Sequence, residues 1–297
     1  MKKRYFSCTA LVLTFCMLLL AAGCGVRING KDYTIFNAPE KDKNNNIIEG
    51  IAGGLGSETI SSSRVVEEAG DGETLSIENN AGNIKIIGSD NTKIIIDVHK
   101  KVRGISSKDR QNIFDNMNVS LERDGKNLKV VVKTKDGKEF WQWQKQEVHL
   151  LSGSIDFDLT IPKSIKEINS ETGAGNININ GVTSKITAET GAGNIDVNNV
   201  SATGSSSLET GTGNVEFNGK FDNITSFKAT TGVGNVEFSV SEDTKMNLDA
   251  ETGIGHLSGY FVKSENGNKT HFTGGINGGG PEVKLNTGVG NVKADER

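Results

Sequence analysis

Cysteine and proline are scarce in this chain of 297 residues. Its three cysteines, Cys8, Cys16 and Cys24, all lie within the first 24 residues. The remainder therefore has no thiol, which excludes disulfides, thiol nucleophiles and cysteine-ligated metal sites. Only three prolines accompany 37 glycines, a balance that favours β structure with many tight turns over a disordered linker.

Recognisable catalytic chemistry is also missing. None of the histidines has a second histidine or carboxylate at metal-ligand spacing on a helix, and no Gly-x-Ser-x-Gly elbow occurs. Asp156 and Asp158 lie on one side of a predicted strand. Two such carboxylates can serve as acid and base, but we interpret them as an outward polar row. We predict no enzyme activity, no cofactor and no metal.

The first 24 residues carry an export signal. Lys2 to Arg4 are basic, and Leu11 to Ala22 form an apolar stretch too short to span a bilayer. The stretch ends in Leu20-Ala21-Ala22-Gly23-Cys24, which resembles a bacterial lipobox, although Ala21 stands where leucine is commoner. We predict a lipoprotein signal peptide over 1–24 and diacylation of Cys24, which would anchor the protein on the extracytoplasmic face of the cell membrane.

The mature chain beyond the signal is mildly acidic and begins with a polar segment. Loss of Lys2, Lys3 and Arg4 takes the formal charge from −4 to −7, which argues against nucleic acid as a partner. Residues 25–63 are polar and rich in glycine and serine, and we predict a flexible tether there. Residues 64–297 are predicted to form one repetitive β domain, with the membrane contacted only through the lipid.

Alternating apolar residues mark strands in the first part of this domain, over 94–165. Ile94, Ile96 and Val98 share one face of such a strand. Ser107 to Met117 has helical spacing and predicts a short helix. Trp141 and Trp143 are predicted to share a strand face. If they are exposed, they could stack on a sugar or a protein partner; if they are buried, they would cap the end of the domain. We favour the cap.

A repeated motif fills the second part, over 166–297. Glu171-Thr172-Gly173-Ala174-Gly175-Asn176-Ile177 recurs five more times, and consecutive first glycines from Gly173 to Gly253 lie 18, 20, 21 and 21 residues apart. Glu78 to Ile84 is a degenerate early copy. A fixed period near 20 indicates stacked units, so we predict an all-β fold, a parallel β-solenoid, with a β-sandwich or roll as the alternative.

The glycines and asparagines of the motif are predicted to form its turns. One or both glycines should have positive φ, and the asparagine amides should stack into a ladder. The residues concerned are Gly173, Gly175, Asn176, Gly191, Gly193, Asn194, Gly211, Gly213, Asn214, Gly232, Gly234, Asn235, Gly253, Gly255, Gly288, Gly290 and Asn291.

Three further features leave alternatives. Glu171, Glu189, Glu209 and Glu251 should align, either as a weak calcium row or, as we favour, as a solvated face. The threonines that follow them could form an ice-binding ladder, which we regard as the weaker interpretation. The longer gap between Gly253 and Gly288 predicts a loop or hairpin that leaves the stack.

The TGxGN repeats, the strand from Ile155 to Pro162 and the closing Gly278 to Leu285 resemble the bacterial putative-adhesin family, over about 64–297. The resemblance implies a solenoid-like fold and an envelope location, and carries over no catalytic residue. We expect a non-catalytic adhesin or scaffold module that contacts cell-wall polymer or a surface protein. The alternatives are an accessory regulator of envelope-stress signalling and, less favoured, a polysaccharide-acting enzyme.

Overall fold

The computed structural model describes residues 26–28, 31–33, 57–104, 107–147, 152–262 and 270–297. The signal over 1–24 and the lipidation residue Cys24 lie outside the described residues. None of the helices in the described part is long and apolar enough to cross a membrane.

The chain divides into two units, Met1–Ser57 and Glu58–Arg297. In the first, β1 (Val26–Ile28) and β2 (Lys31–Tyr33) form an antiparallel hairpin. The predicted tether ended at residue 63, but strand β3 already begins at Ser57 and continues to Glu68. Period-two alternation is weak in the serine-rich start of this strand, so the sequence placed the boundary too late. Most of the predicted tether lies outside the described residues.

The second unit is all-β, as predicted, with two short helices. One mixed sheet joins strands β3 to β20 and nearly closes on itself like a barrel. The helices are α1 (Ser107–Asn116), as predicted, and α2 (Phe140–Glu147). The remaining strands are β4 (Thr74–Ala81), β5 (Ile84–Ser89), β6 (Lys93–Gly104), β7 (Asn118–Asp124), β8 (Asn127–Lys133), β9 (Ser152–Pro162), β10 (Glu167–Ala174), β11 (Ile177–Asn180), β12 (Thr183–Ala192), β13 (Ile195–Thr212), β14 (Val215–Val233), β15 (Val236–Val240), β16 (Met246–Ile254), β17 (Leu257–Ser258), β18 (His271–Ile276), β19 (Glu282–Val289) and β20 (Val292–Glu296).

Strand pairing arranges this sheet into two faces. On face A the strands pair in parallel in the following spatial order: β8, β4, β10, β12, the second half of β13, the second half of β14, β19 and β16. On face B, β9, β5, β11, the first half of β13, the first half of β14, β15, β20 and β17 do the same. Each TGxGN copy is the corner at which the chain passes from face A to face B; we call one corner with its two strands a rung.

Antiparallel strands lie at both ends, so the orientation is mixed rather than uniformly parallel. At one end β6 pairs with β9 and β7 with β8; at the other, β18 pairs with β16. The predicted departure of the chain after Gly253 is therefore wrong in one respect: β18 stays in the sheet as its edge strand. Such end strands close a stack whose last rung would otherwise expose an unpaired edge.

Helix α2 corrects another prediction. Residues Phe140 to Trp143 form its first turn, not a strand, because Phe140 is fully buried and the two tryptophans pack around it. The Phe140 ring centroid lies 4.9 Å from that of Trp141 and 5.8 Å from that of Trp143. Both tryptophans are half-buried against the core. Their position is that of a cap, with part of each ring left exposed.

Aliphatic and aromatic rows fill the space between the two faces. Every second residue of each strand points inward, and the inward residues of neighbouring rungs stack directly on one another. Ile177, Ile195, Val215, Val236 and Val292 form one such row. Each fully buried side chain of this size contributes roughly 1.5–3 kcal/mol, so the stack is stabilised mainly by contacts between rungs.

Candidate functional surfaces

The two glycines of each corner meet different requirements. The second glycine has positive φ, for example 144° at Gly213, and a Cβ there would overlap the carbonyl oxygen of Gly193 in the next rung. The first glycine does not have positive φ, but a Cβ on Gly211 would lie 2.6 Å from the carbonyl oxygen of Gly191. The same pattern holds at Gly173 and Gly175, Gly191 and Gly193, Gly232 and Gly234, Gly253 and Gly255, and Gly288 and Gly290.

The asparagines form a ladder whose chemistry differs from the prediction. Each side-chain Oδ1 accepts a hydrogen bond from the backbone N–H of the corner residue in the next rung, rather than from a neighbouring amide. The Asn235 N–H donates to Asn214 Oδ1 over 2.9 Å, for example. The series runs from Asp156 through Asn83, Asn176, Asn194, Asn214, Asn235 and Asn291 to His256, with donor–acceptor distances of 2.8–3.0 Å.

The threonine row is internal, which overturns the ice-binding interpretation. Each threonine is buried, and its hydroxyl donates to a glycine carbonyl in the adjacent rung. Thr231 Oγ1, for instance, lies 2.7 Å from the carbonyl oxygen of Gly213. The members are Thr172, Thr190, Thr210, Thr231, Thr252 and Thr287. These residues hold rungs together and offer no surface to a ligand.

The glutamates of the motif point outward from face A. Glu171 and Glu189 are exposed and in register. On their two sides, Glu78 pairs with Lys129 at 2.9 Å and Glu209 with Lys228 at 2.8 Å. The Lys228 hydrogen bond lowers the pKa of Glu209. Among the described residues, no three acidic, histidine or cysteine side chains converge as a metal site would require.

Face B carries a second carboxylate row, which the sequence analysis missed. Asp196, Glu216 and Glu237 are direct neighbours in three successive rungs, and Lys293 follows them. Burial raises the pKa of Asp196. Burial, followed by the negative charges of Asp196 and Glu237, raises the pKa of Glu216. All three residues stand two positions after the corner asparagine, so an alignment of the copies on that asparagine would have revealed the row.

A serine, a histidine and an aspartate meet on the outer surface of β3, β6 and β9. Ser62 Oγ lies 3.0 Å from His99 Nδ1, and His99 Nε2 lies 3.5 Å from Asp158 Oδ2. The order of groups matches that of a catalytic triad. However, the three side chains stand on an open sheet surface, with His99 and Asp158 40% and 51% exposed. Asp156, the other carboxylate singled out from sequence, pairs instead with Lys101 at 2.6 Å.

An aliphatic ridge is exposed along the TGxGN corner. The residue between the two glycines is alanine in the first rungs, then Thr212, and Val233, Val289 and Ile254 in the last three. These three side chains are 44%, 45% and 70% exposed. Glycines flank each of these residues, so the adjacent positions of the chain add no side chain that would cover the ridge.

Comparisons with known proteins give distant structural matches only. No protein-family model matches the chain, and no curated protein matches it. A crystal structure of a putative cell adhesion protein from Clostridium sporogenes is 13% identical, with a TM-score of 0.41, over 80% of this chain and 100% of that one. A putative adhesin from Bacteroides fragilis is 12% identical, with a TM-score of 0.33, over 80% of this chain and 97% of that one. A putative lipid binding protein from Parabacteroides distasonis is 14% identical, with a TM-score of 0.28, over 78% of this chain and 96% of that one. Structural similarity at this level does not show what this chain binds.

Proposed function

We propose that the protein is a non-catalytic, lipid-anchored module of the cell surface that binds envelope material through the outward rows of a β-solenoid. One observation carries the proposal: neighbouring rungs share one register, so side chains far apart in sequence form straight rows on rigid faces. The rungs repeat about every 4.8 Å. Such a surface suits a ligand that is itself extended or repetitive.

The solenoid assignment is supported by the parallel register between successive copies and by the continuous Asn ladder. In this assignment, the antiparallel strands β6, β7 and β18 are end caps on the parallel stack.

The non-catalytic assignment rests on the setting of Ser62, His99 and Asp158. An activated serine needs a substrate held beside it and donors for the developing oxyanion. These residues stand on an open outward face. None of them lines the cavity around Lys163 and Arg297 or the cavity around Phe221 and Lys245. A fluorophosphonate probe should therefore leave the protein unlabelled, whereas labelling that Ser62→Ala abolishes would indicate a serine hydrolase.

The anchor can be tested separately. Full-length protein expressed in a bacterium should incorporate labelled palmitate and fractionate with membranes. Cys24→Ala should lose the label and leave the membrane fraction, while Cys16→Ala, a cysteine within the apolar stretch, should retain both. Equal labelling of the Cys24→Ala variant would refute this anchor.

Binding is tested by co-sedimentation of the purified chain, from residue 25 onward, with isolated cell envelope. We expect saturable binding that excess unlabelled chain displaces. One variant neutralises face A (Glu171, Glu189 and Glu251 to Gln), and a second neutralises face B (Asp196→Asn with Glu216 and Glu237 to Gln). One of these two variants should change envelope binding more than the other. Binding that never saturates would contradict the proposal.

A further inference from the structure

A shallow, open cavity of about 520 Å³ lies on the second corner of the stack, where the chain returns from face B to face A. It crosses several rungs, because its lining comes from the end of β5, from residues that follow β9, β11 and β20, and from the bends within β13 and β14. The charged and hydroxyl side chains that line it are those of Lys163, Thr183, Ser201, Lys220 and Arg297.

The charge of this cavity is opposite to that of the chain. Acidic residues outnumber basic ones by 37 to 33 overall, yet three cations and no carboxylate side chain line the cavity. Lys163 pairs with Asp90, whose side chain is 89% exposed and outside the lining. Lys220 is exposed, and its side chain has no ion-pair partner among the described residues.

Arg297 and Lys163 are both anchored through their backbones. The Arg297 backbone N–H donates to the Val240 carbonyl over 2.9 Å, and its guanidinium donates to Asn199 Oδ1 over 3.3 Å. The Lys163 N–H donates to the Ser89 carbonyl over 3.0 Å. The Arg297 guanidinium is therefore held on Asn199, which itself lines the cavity, and the backbone of Lys163 is anchored beside it.

The hydroxyl groups of Thr183 and Ser201 also line the cavity. Thr183, Ser201 and Lys220 are direct neighbours in three successive rungs, so they repeat at about the 4.8 Å rung spacing. A second cavity of about 500 Å³ adjoins at Lys220 and includes Lys245, Asp243 and the half-buried Phe221. The two together make a trough along the corner that is open to an extended ligand.

We propose that this trough binds a segment of an anionic, hydroxyl-rich polymer, with Lys163, Lys220 and Arg297 contacting its charges. Clustered cations select carboxylate or phosphate groups, and the hydroxyl groups of Thr183 and Ser201 in the same lining suit sugar or polyol units. The open ends allow the polymer to continue beyond the cavity. The proposal rests on the proposed surface-binding function and names the chemistry of its ligand.

The test measures binding of the full-length chain, purified in mild detergent, to three labelled oligomers: oligogalacturonate, oligo(glycerol phosphate) and uncharged maltohexaose. We expect at least one anionic oligomer to bind saturably and maltohexaose not to bind. Lys163→Ala and Lys220→Ala should each weaken binding about 3- to 10-fold. Lys284→Ala, an exposed lysine on face A, should change it less than twofold.

The oligomer that binds more tightly identifies the carboxylate or the phosphate polymer as the source of the charge. Binding should also weaken between 0.1 and 0.5 M salt, since exposed charges are screened over ~10 Å or less in this range. Absence of saturable binding to both anionic oligomers, or equal losses in Lys284→Ala and Lys220→Ala, would overturn the trough assignment.

Envelope co-sedimentation separates the two proposals. If envelope binding persists unchanged in the Lys163→Ala, Lys220→Ala double variant, the trough is refuted as the surface used and the binding function stands. If the wild-type protein does not bind envelope at all, the general function fails, while oligomer binding still decides the trough on its own.

Discussion

Three glycine substitutions separate the two reasons for glycine at the corners. Gly125 has φ of 57° and open space beside it; Gly211 has no positive φ but a close carbonyl; Gly213 has both a φ of 144° and a close carbonyl. The expected cost of Gly125→Ala is about 1 kcal/mol, from backbone strain alone. Gly211→Ala should cost about 1–3 kcal/mol, from forcing two rungs apart.

Gly213→Ala combines both effects and should cost roughly 2–6 kcal/mol, since a φ near 144° is almost exclusive to glycine. For a domain of this size the thermal midpoint should fall by about 5–20 °C. Urea unfolding followed by circular dichroism gives the free energy, and calorimetry gives the midpoint.

The order of the three variants decides the outcome. We expect Gly125→Ala to be mildest and Gly213→Ala to be most severe. If Gly213→Ala unfolds at the same urea concentration as Gly125→Ala, the rungs are not in close contact at this corner. If Gly211→Ala matches the wild type, the short Cβ–oxygen approach has no energetic consequence and the first glycine needs another explanation.

Three further outcomes depend on the contacts between rungs. Asn214→Ala should cost about 0.5–1.5 kcal/mol in urea unfolding because the Asn235 N–H loses its acceptor, whereas Asn214→Asp, which keeps an oxygen there, should cost less; the reverse order would contradict the ladder. Glu216→Gln should stabilise the fold by up to about 1 kcal/mol at pH 7. The fold raises the pKa of Glu216, so this gain should shrink as the pH falls and vanish below the unfolded-state pKa of about 4.3; a gain that grows on acidification would refute the assignment. Deleting residues 282–297 should increase hydrogen exchange in 246–254, since β16 loses its parallel partner β19; unchanged protection there would contradict the observed strand order.

The all-β class and most strand positions were predictable because inward and outward residues alternate strictly. The inward Ile155, Phe157 and Leu159 are buried as their spacing requires. The glycine corners were also predictable, since the motif repeats at a nearly fixed period. Helix α2 was not, because Phe140, Trp141 and Trp143 all favour strands intrinsically. Tertiary packing of the Phe140 ring at the end of the stack overrides that preference.

The outward surfaces were harder to predict, because they depend on which rungs are neighbours. The carboxylate row of face B and the trough join residues from several copies, and neither forms a motif within one copy. Lys163 and Arg297 meet at one cavity although 134 positions separate them. Only the pairing of rungs in space brings such residues together. The sequence repeat predicts that rungs stack in register, but it does not predict which rungs are neighbours.

That order is the feature in which the fold departs most from a simple stack. Between the rung of Gly232 and the rung of Gly253 lies the rung of Gly288, although it comes last in the chain. At the other end, β4 lies between β10 and the later strand β8. The first and last rungs of the chain are thus enclosed, and segments from the chain interior form the ends of the stack. Simple zippering from one end of the chain cannot produce this arrangement, because the last rung must find partners on both sides. Folding should therefore be slow, as long-range pairing requires, but the finished stack has no terminal rung that can peel away alone.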